Sequence, residues 1–399
     1  MEEKGLVNFF NEFIENRFIF KNKEALMHNF TPKKVFHRDE QIKELARMLA
    51  PMLRLEKPSN VFLYGKTGTG KTLTTKYTSQ QMQEVAKQKN IPLKIIFVNC
   101  KLKKIADTEY RLLSYILKEY GKEIPFTGIP TDDVYARFYE ILDEKPHQLL
   151  LILDEIDELI KKAGDEFLYN ITRIELKKTK ICIVGISNDL NFTDRLDARV
   201  RSSMSEEEII FPPYDADQIF QILQERAKQA FQEGAIDDAT IAKCAAYAAR
   251  EHGDARKALD LLRVAGELAE RQEQKKVTTE HIDQAEEKIE KDKIIDIVKN
   301  QPLQYKLVLY SALSTARNKS TSTGEIYSIY ESLCKRTNNR PLTQRRISDI
   351  IADFDIQGLI KATVISKGRY GRTREIEISI PPILTAKLKD SISKDINLT

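Results

Sequence analysis

Eight residues, Gly65-Lys66-Thr67-Gly68-Thr69-Gly70-Lys71-Thr72, carry the densest chemical signal in the chain. They match G-x-x-x-x-G-K-[ST] in full. They stand between an apolar run, "NVFLYG" (60–65), and a helical pattern, the context in which such a loop cradles phosphate. Backbone N–H groups of the loop and of the next helix would point at a β-phosphate. Lys71 would reach the β- and γ-oxygens, and Thr72 would hold Mg²⁺. The bland alternative is a glycine-rich turn matching by chance, and the flanking strand and helix make it a poor one.

"LLLILDEID" (149–157) supplies the second half of the chemistry. An apolar strand there delivers Asp154 at its C-terminal end, where open α/β sheets keep their ligands. Asp154 is placed to hold the magnesium through water, and Glu155 to polarise an attacking water. Asn188 ends "ICIVGISN" and would sit between these acids and the γ-phosphate. Its alternative is a turn shared with Asp189. Arg256, in "GDARKALDLL", opens a helix from which a guanidinium forks onto phosphate; a surface arginine is the plainer reading. Arg199 and Arg201, in "LDARVRSS", are candidate arginine fingers for a neighbouring subunit's nucleotide, or else contacts to DNA phosphate or solvent.

These residues need a scaffold, and the pattern provides one. "NVFLYG", "LKIIFVN" (93–99), "LLLILD" (149–154), "ICIVGIS" (181–187) and "EIIF" (208–211) are short, aliphatic and nearly continuous. Strands buried on both faces read this way, which predicts a parallel α/β sheet with crossover helices. "FPPYDADQ" (211–218) ends the pattern, with Asp215 as an N-cap. Helical text then runs to about residue 290 with no strand signal. From 299 three further helical patterns lead to "ATVISKGRYGRTREIEISI", a hairpin in which Ile376, Ile378 and Ile380 alternate with Glu375, Glu377 and Ser379. Helices followed by a basic hairpin are the plan of a winged helix-turn-helix. The expected division is an α/β nucleotide-binding domain over 1–212, an all-α lid over 213–292 and a winged helix over 293–399.

Bulk properties agree. A chain of 399 residues exceeds one ordinary core. No apolar run approaches the ~20 residues of a membrane span, and the N-terminus lacks the basic start and apolar run of a signal peptide. The expectation is a cytoplasmic, nucleoid-associated protein with no membrane partner. Four dispersed cysteines and five unclustered histidines exclude an obvious zinc site. The net charge of +4 is unevenly shared: residues 291–399 hold 19 Lys and Arg against 11 Asp and Glu, a net +8, leaving −4 for the rest. A basic tail domain suits a polyanion.

In a winged helix the last helix enters the major groove and the wing lies along the backbone or minor groove. Here that helix would begin near Thr343, with Gln344, Arg345 and Arg346 in its first exposed turn. Arg pairs bidentately with guanine and Gln with adenine. Lys367, Arg369, Tyr370, Arg372 and Arg374 surround two glycines at the wing tip, suited to phosphate and a narrow groove. A winged helix used for protein contact is the alternative.

The order of these motifs resembles an AAA+ ATPase. "VFHRDEQIKELARML", "NVFLYGKTGTGKT", "LDARVRSSMSEEEIIFPPY", "HGDARKALDLLRVAGELAE" and "RPLTQRRISDIIADFDIQGLI" are together very similar to archaeal replication initiators of the origin-recognition-complex/cell-division-cycle family, from about Phe20 to Leu388. That resemblance implies ATP or ADP with Mg²⁺ as cofactors, bound by the eight loop residues, with Asp154 and Glu155 as the magnesium and water-activating acids. It implies Asn188 as first sensor and Arg256 as second, with His37, Arg38 and Tyr214 as further nucleotide-binding positions, the first two in the stretch bordering the adenine. It implies an initiator-specific helical element within 110–142 that touches DNA. One departure is visible: Met204-Ser205 stands where the family has Leu-Gly. The implied function is a slow ATPase that binds double-stranded origin DNA, works with paralogous initiators and helps recruit the replicative helicase. The alternative is a nucleotide-gated regulator or repressor paralogue without helicase loading.

Overall fold

The computed structural model describes residues 18–399, except 29, 103–104, 125–127, 205, 251–252, 316–319, 367–371, 397 and 399; the side chains of 206, 372, 373 and 383 are also outside the description. Two compact units divide the chain, Met1–Ile282 and Asp283–Thr399.

The first unit is built on five parallel strands: β1 (Asn60–Tyr64), β2 (Leu93–Asn99), β3 (His147–Asp154), β4 (Thr179–Ser187) and β5 (Glu206–Ile210), in the order β2-β3-β4-β1-β5. The continuous apolar runs have a direct cause. Leu149, Leu151 and Leu153 of β3 enter one buried cluster with Phe62, while Leu150 and Ile152 enter another with Val61 and Leu63. Both faces are covered, so the positions from Leu149 to Leu153 are all apolar, between Gln148 and Asp154. Removing one such side chain, as in Leu151→Ala, would cost about 2–5 kcal/mol.

Helices fill the crossovers. They are α1 (Asp39–Leu49), ahead of β1, then α2 (Lys71–Gln88), α3 (Glu109–Glu119), α4 (Thr131–Leu142), α5 (Ile156–Ala163), α6 (Glu166–Arg173) and α7 (Ala198–Met204). The 110–142 stretch is the pair α3 and α4, and Leu112, Ile116, Phe138 and Leu142 bury its inner faces fully.

The lid follows as α8 (Ala216–Ala230), α9 (Asp238–Arg250), α10 (Ala255–Arg271) and α11 (Thr279–Lys299). Asp215 caps α8 in a capping box with Gln218, the start expected from "YDADQ". Helix α11 begins in the first unit and runs on into the second, so residues 282–293 are continuous helix. One contact was not legible from the pattern. The chain's first described segment lies against the lid, although some two hundred residues separate the two. The Lys21 N–H donates to the Ala230 carbonyl at 2.7 Å and Phe20 stacks on Phe231 at 5.0 Å between centroids.

The second unit holds α12 (Leu303–Thr315), α13 (Thr323–Arg336), α14 (Gln344–Ile356) and α15 (Pro382–Asp395) around a small sheet. Its strands are β6 (Thr321–Ser322), β7 (Ile360–Ser366) and β8 (Arg372–Ile378), in the antiparallel order β6-β8-β7. Ile376 is fully buried in the core of this unit, as the period-2 pattern requires. β6 and α15 have weak sequence signals and complete the winged helix.

Candidate nucleotide-binding site and nucleic-acid interface

Parallel pairing sets the site. Asn99 lies beside Asp154 across β2 and β3, and Tyr64 lies beside Ser187 across β1 and β4. The C-terminal ends of four strands therefore open on one edge, where the glycine loop crosses. Lys71 starts α2 and folds back into the loop: its Nζ donates to the carbonyls of Gly65 at 2.6 Å and Lys66 at 2.8 Å, and to Asn188 Oδ1 at 2.9 Å. Burial, then the nearby Arg256 charge, bring its pKa down to about 8, despite Asp154, Asp157 and Asp254.

Thr72 Oγ1 donates to the Asp154 carboxylate at 3.1 and 3.2 Å. Burial pushes the Asp154 carboxyl above its ordinary value, against the pull of Thr72 and Arg256. Glu155 follows in a left-handed conformation, φ 55°, and its Oε2 is buried without a hydrogen-bond partner among the described residues. Gly68, Lys71, Thr72, Asn99, Asp154, Glu155, Asn188 and Arg256 line one small cavity of about 60 Å³. The sequence offered Asn99 no motif; its one signal was a polar residue at the C-terminal end of an apolar strand, the same signal that marked Asn188.

The two metal candidates, Thr72 and Asp154, supply oxygen donors at one edge of this cavity. Among the described residues no group of three His, Cys, Asp or Glu can hold a metal. Such a sparse oxygen set fits Mg²⁺, which keeps water and phosphate as its remaining ligands. When bound there, the ion would supply positive charge between the phosphate oxygens.

A second, larger cavity of about 760 Å³ continues from Gly68, Gly70 and Thr72 between Val35, Phe36 and the lid residues Ile222, Arg226, Arg256 and Leu259. Tyr214 also lines it. The lid touches the loop directly. Asp254 caps α10, accepting from the Arg256 and Lys257 N–H groups, and the Ala255 N–H donates to the Gly68 carbonyl at 3.4 Å. Gly68 has φ +77°, and a Cβ there would overlap the Asp254 carboxylate. Gly70 has φ +91°, and its Cβ would stand 2.6 Å from the Tyr214 hydroxyl.

His37 and Arg38 are not among the residues lining the larger cavity; Val35 and Phe36 are. Arg38 is 2% exposed and passes behind the loop. It donates to the carbonyls of Thr69 at 2.9 Å and Pro212 at 2.6 Å and lies 3.7 Å from the Tyr214 ring centroid. Gly65, Lys66 and Thr67 also lie outside both sets of lining residues, and Thr69 lines the smaller cavity. Arg199 and Arg201 sit on α7. Arg199 pairs with Asp197 at 3.1 Å, and Arg201 donates to the Thr193 carbonyl at 2.7 Å.

In the second unit Thr343 caps α14, accepting from the Arg346 N–H. Gln344, Arg345 and Arg346 are exposed on its first turn. Arg346 pairs with Asp349 at 3.7 Å. Arg374 is held inward, donating to the Ser348 carbonyl at 2.9 Å and so tying β8 to α14. Lys367, Arg369 and Tyr370 lie outside the described residues, as does the Arg372 side chain.

Three family models match along the chain: an AAA domain over 54–194, a Cdc6 AAA+ ATPase-type lid domain over 220–287 and a CDC6 C-terminal winged helix domain over 296–386. The chain is 51% identical to the ORC1-type DNA replication protein of Thermococcus kodakarensis, covering 97% of this chain and 95% of that one. The chain belongs to the family of ORC1-type DNA replication proteins. Pyrococcus horikoshii has a relative of the same description, 51% identical over 96% of this chain and 92% of its own. The structure of the Aeropyrum pernix ORC1 protein in complex with DNA superposes with a TM-score of 0.82 at 40% identity, covering 95% of this chain and 98% of that one.

An AAA ATPase fold supports nucleotide binding, and the two cavities share Gly68, Gly70, Thr72 and Arg256. The smaller holds the polar groups suited to phosphate, and the larger is mostly apolar, as a base requires. No helix among the described residues is long and apolar enough to cross a membrane.

Proposed function

We propose that this protein is a nucleotide-switched replication initiator that binds duplex DNA at origins through its winged helix. The observation that carries this reading is the seat of the lid on the phosphate loop, where Ala255 meets the Gly68 carbonyl and Arg256 enters the phosphate cavity. A γ-phosphate there would be shared by Lys71 from the loop, Asn188 from the sheet and Arg256 from the lid. Losing it removes a contact that favours one lid position over another, which is what a switch requires.

Hydrolysis is the reset. Asp154 and Thr72 would hold Mg²⁺, and Glu155, with a carboxylate oxygen unpartnered, would take a proton from the attacking water. We assign slow turnover and helicase recruitment on family likeness. DNA binding rests on the basic 291–399 segment and the exposed Gln344, Arg345 and Arg346. The complex of the Aeropyrum relative with DNA supports it. In this reading the wing residues Lys367, Arg369 and Arg372 would also contact DNA, and so, separately, would the helices of 110–142.

Fluorescence anisotropy of the purified protein on origin-region and scrambled duplexes, with ATP and with ADP at several salt concentrations, tests it. Tight, nucleotide-dependent preference for one duplex is expected. Weak binding alike on all duplexes overturns the initiator reading. Specific binding without capture of the replicative helicase would make the protein a regulator of origin DNA instead.

A further inference from the structure

Two buried arginines contact the segment that lines the larger cavity, Arg226 from the cavity wall and Arg38 from outside it, and among the described residues neither has an ion pair. Arg226, on α8, is 6% exposed. It donates to the carbonyls of Ala25 at 3.2 Å and Phe30 at 3.4 Å, with its guanidinium 4.8 Å from the Phe30 ring centroid. Burial brings its pKa down to about 10. Arg38 is 2% exposed; besides the Thr69 and Pro212 carbonyls and the Tyr214 ring, it meets the His37 carbonyl at 2.9 Å and lies 5.8 Å from the Phe211 ring centroid. Burying a cation without a carboxylate is costly, and an apolar side chain would fill either place more cheaply.

Both arginines act on the same stretch of backbone. Arg226 grips it at Ala25 and Phe30 from the lid, and Arg38, at its far end, grips the phosphate loop and the sheet-to-lid connection. Between these grips Val35 and Phe36 line the base cavity, with Met27 and Phe30 at the lid end. Lys23 adds an outer anchor, pairing with Glu267 of the lid at 2.7 Å.

We propose that Arg38 and Arg226 are a coupled pair of positioning residues that seat the backbone of residues 25–28 and 30–38 as one wall of the nucleotide cavity and thereby set nucleotide affinity. The proposal rests on the nucleotide-site reading. It adds that the wall is held from two structural elements, lid and phosphate loop, so releasing either grip unseats it.

A double-mutant cycle on the full chain tests this, using a fluorescent N-methylanthraniloyl ADP as probe. Arg226→Met and Arg38→Met should each raise its Kd by about tenfold, the scale of a lost charge-assisted contact. The double variant should be little worse than either alone, because one released grip already unseats the wall. Arg226→Lys should recover part of the loss, and KM for ATP should rise more than kcat falls. Losses that simply multiply, or a Kd unchanged in both variants, overturn the proposal. A wild-type chain that takes up no probe sinks the nucleotide reading itself.

Amide hydrogen exchange on the wild-type protein keeps the test open if a variant fails to fold. ADP should protect residues 20–28 and 30–38 together with α8. Protection confined to 65–72 overturns the proposal.

Discussion

Lys71 Nζ and Asn188 Oδ1 are 2.9 Å apart, which joins the phosphate loop to the end of β4 across 117 residues of sequence. Two loop carbonyls also hold the ammonium group, so Asn188 is not needed to keep it in place. Asn188→Ala should therefore leave nucleotide affinity within a few-fold of wild type. Hydrolysis should fall by about 10²-fold, the scale of losing one aimed polar group at a phosphoryl centre. Steady-state phosphate release beside probe binding separates the two.

Glu155→Gln keeps the shape of a side chain whose Oε2 is buried and unpartnered, but removes its capacity to accept a proton. Turnover should drop by about 10²–10⁴-fold with ATP still bound. Such a variant should hold the ATP-state preference for duplex DNA through a long incubation. Wild-type turnover in this variant would remove Glu155 from the chemistry.

Gly68→Ala meets two obstacles at once, a φ of +77° and the Asp254 carboxylate in the space a Cβ would take. The lid's first turn must then lift from the loop. Nucleotide binding should be lost, with a melting temperature only modestly lower than wild type. Asp254→Ala instead removes a cap, at about 1 kcal/mol, and should weaken binding without abolishing it.

Glu267 gives a pH prediction. Burial raises its pKa, but Lys23 at 2.7 Å and Arg263 at 2.6 Å outweigh that, and the net shift is below the ordinary value of 4.5. A depressed carboxylate stabilises the fold above its unfolded pKa and loses that contribution as pH falls through the folded value. Glu267→Gln should thus melt below wild type at pH 7, by roughly 1 kcal/mol or less. The gap should close as the pH falls below the folded value. A gap that persists into strong acid would mean the glutamine is harmful for another reason.

Arg345 and Arg374 look alike in sequence and should behave differently. Arg345→Ala, on the exposed first turn of α14, should weaken duplex binding and lower the slope of log affinity against log salt by about 1. Arg374→Ala breaks the bond to the Ser348 carbonyl and should lower thermal stability first. A full salt-slope change from Arg374→Ala and none from Arg345→Ala would reverse these roles.

Three kinds of information were written locally in this sequence. The glycine loop needs glycines where the backbone turns left-handed, so "GKTGTGKT" is visible without a structure. Strands buried on both faces are apolar nearly throughout, which located β1, β3 and β4 and made Asp154 and Asn188 stand out as the polar ends, whereas β5 at the sheet edge carries exposed Glu207 and Glu208 and was caught only by its apolar end. Helix starts are set by one or two side chains, so the Asp215 cap and a helix beginning near Thr343 were readable. What the tertiary structure alone decided are contacts to backbone carbonyls and rings far away in the chain. Arg38 on Thr69 and Pro212, Arg226 on Ala25 and Phe30, and Arg374 on Ser348 have acceptors that every residue carries. A carbonyl leaves no mark in a sequence, so only the folded chain shows which arginines meet solvent or nucleic acid and which hold the protein's own backbone.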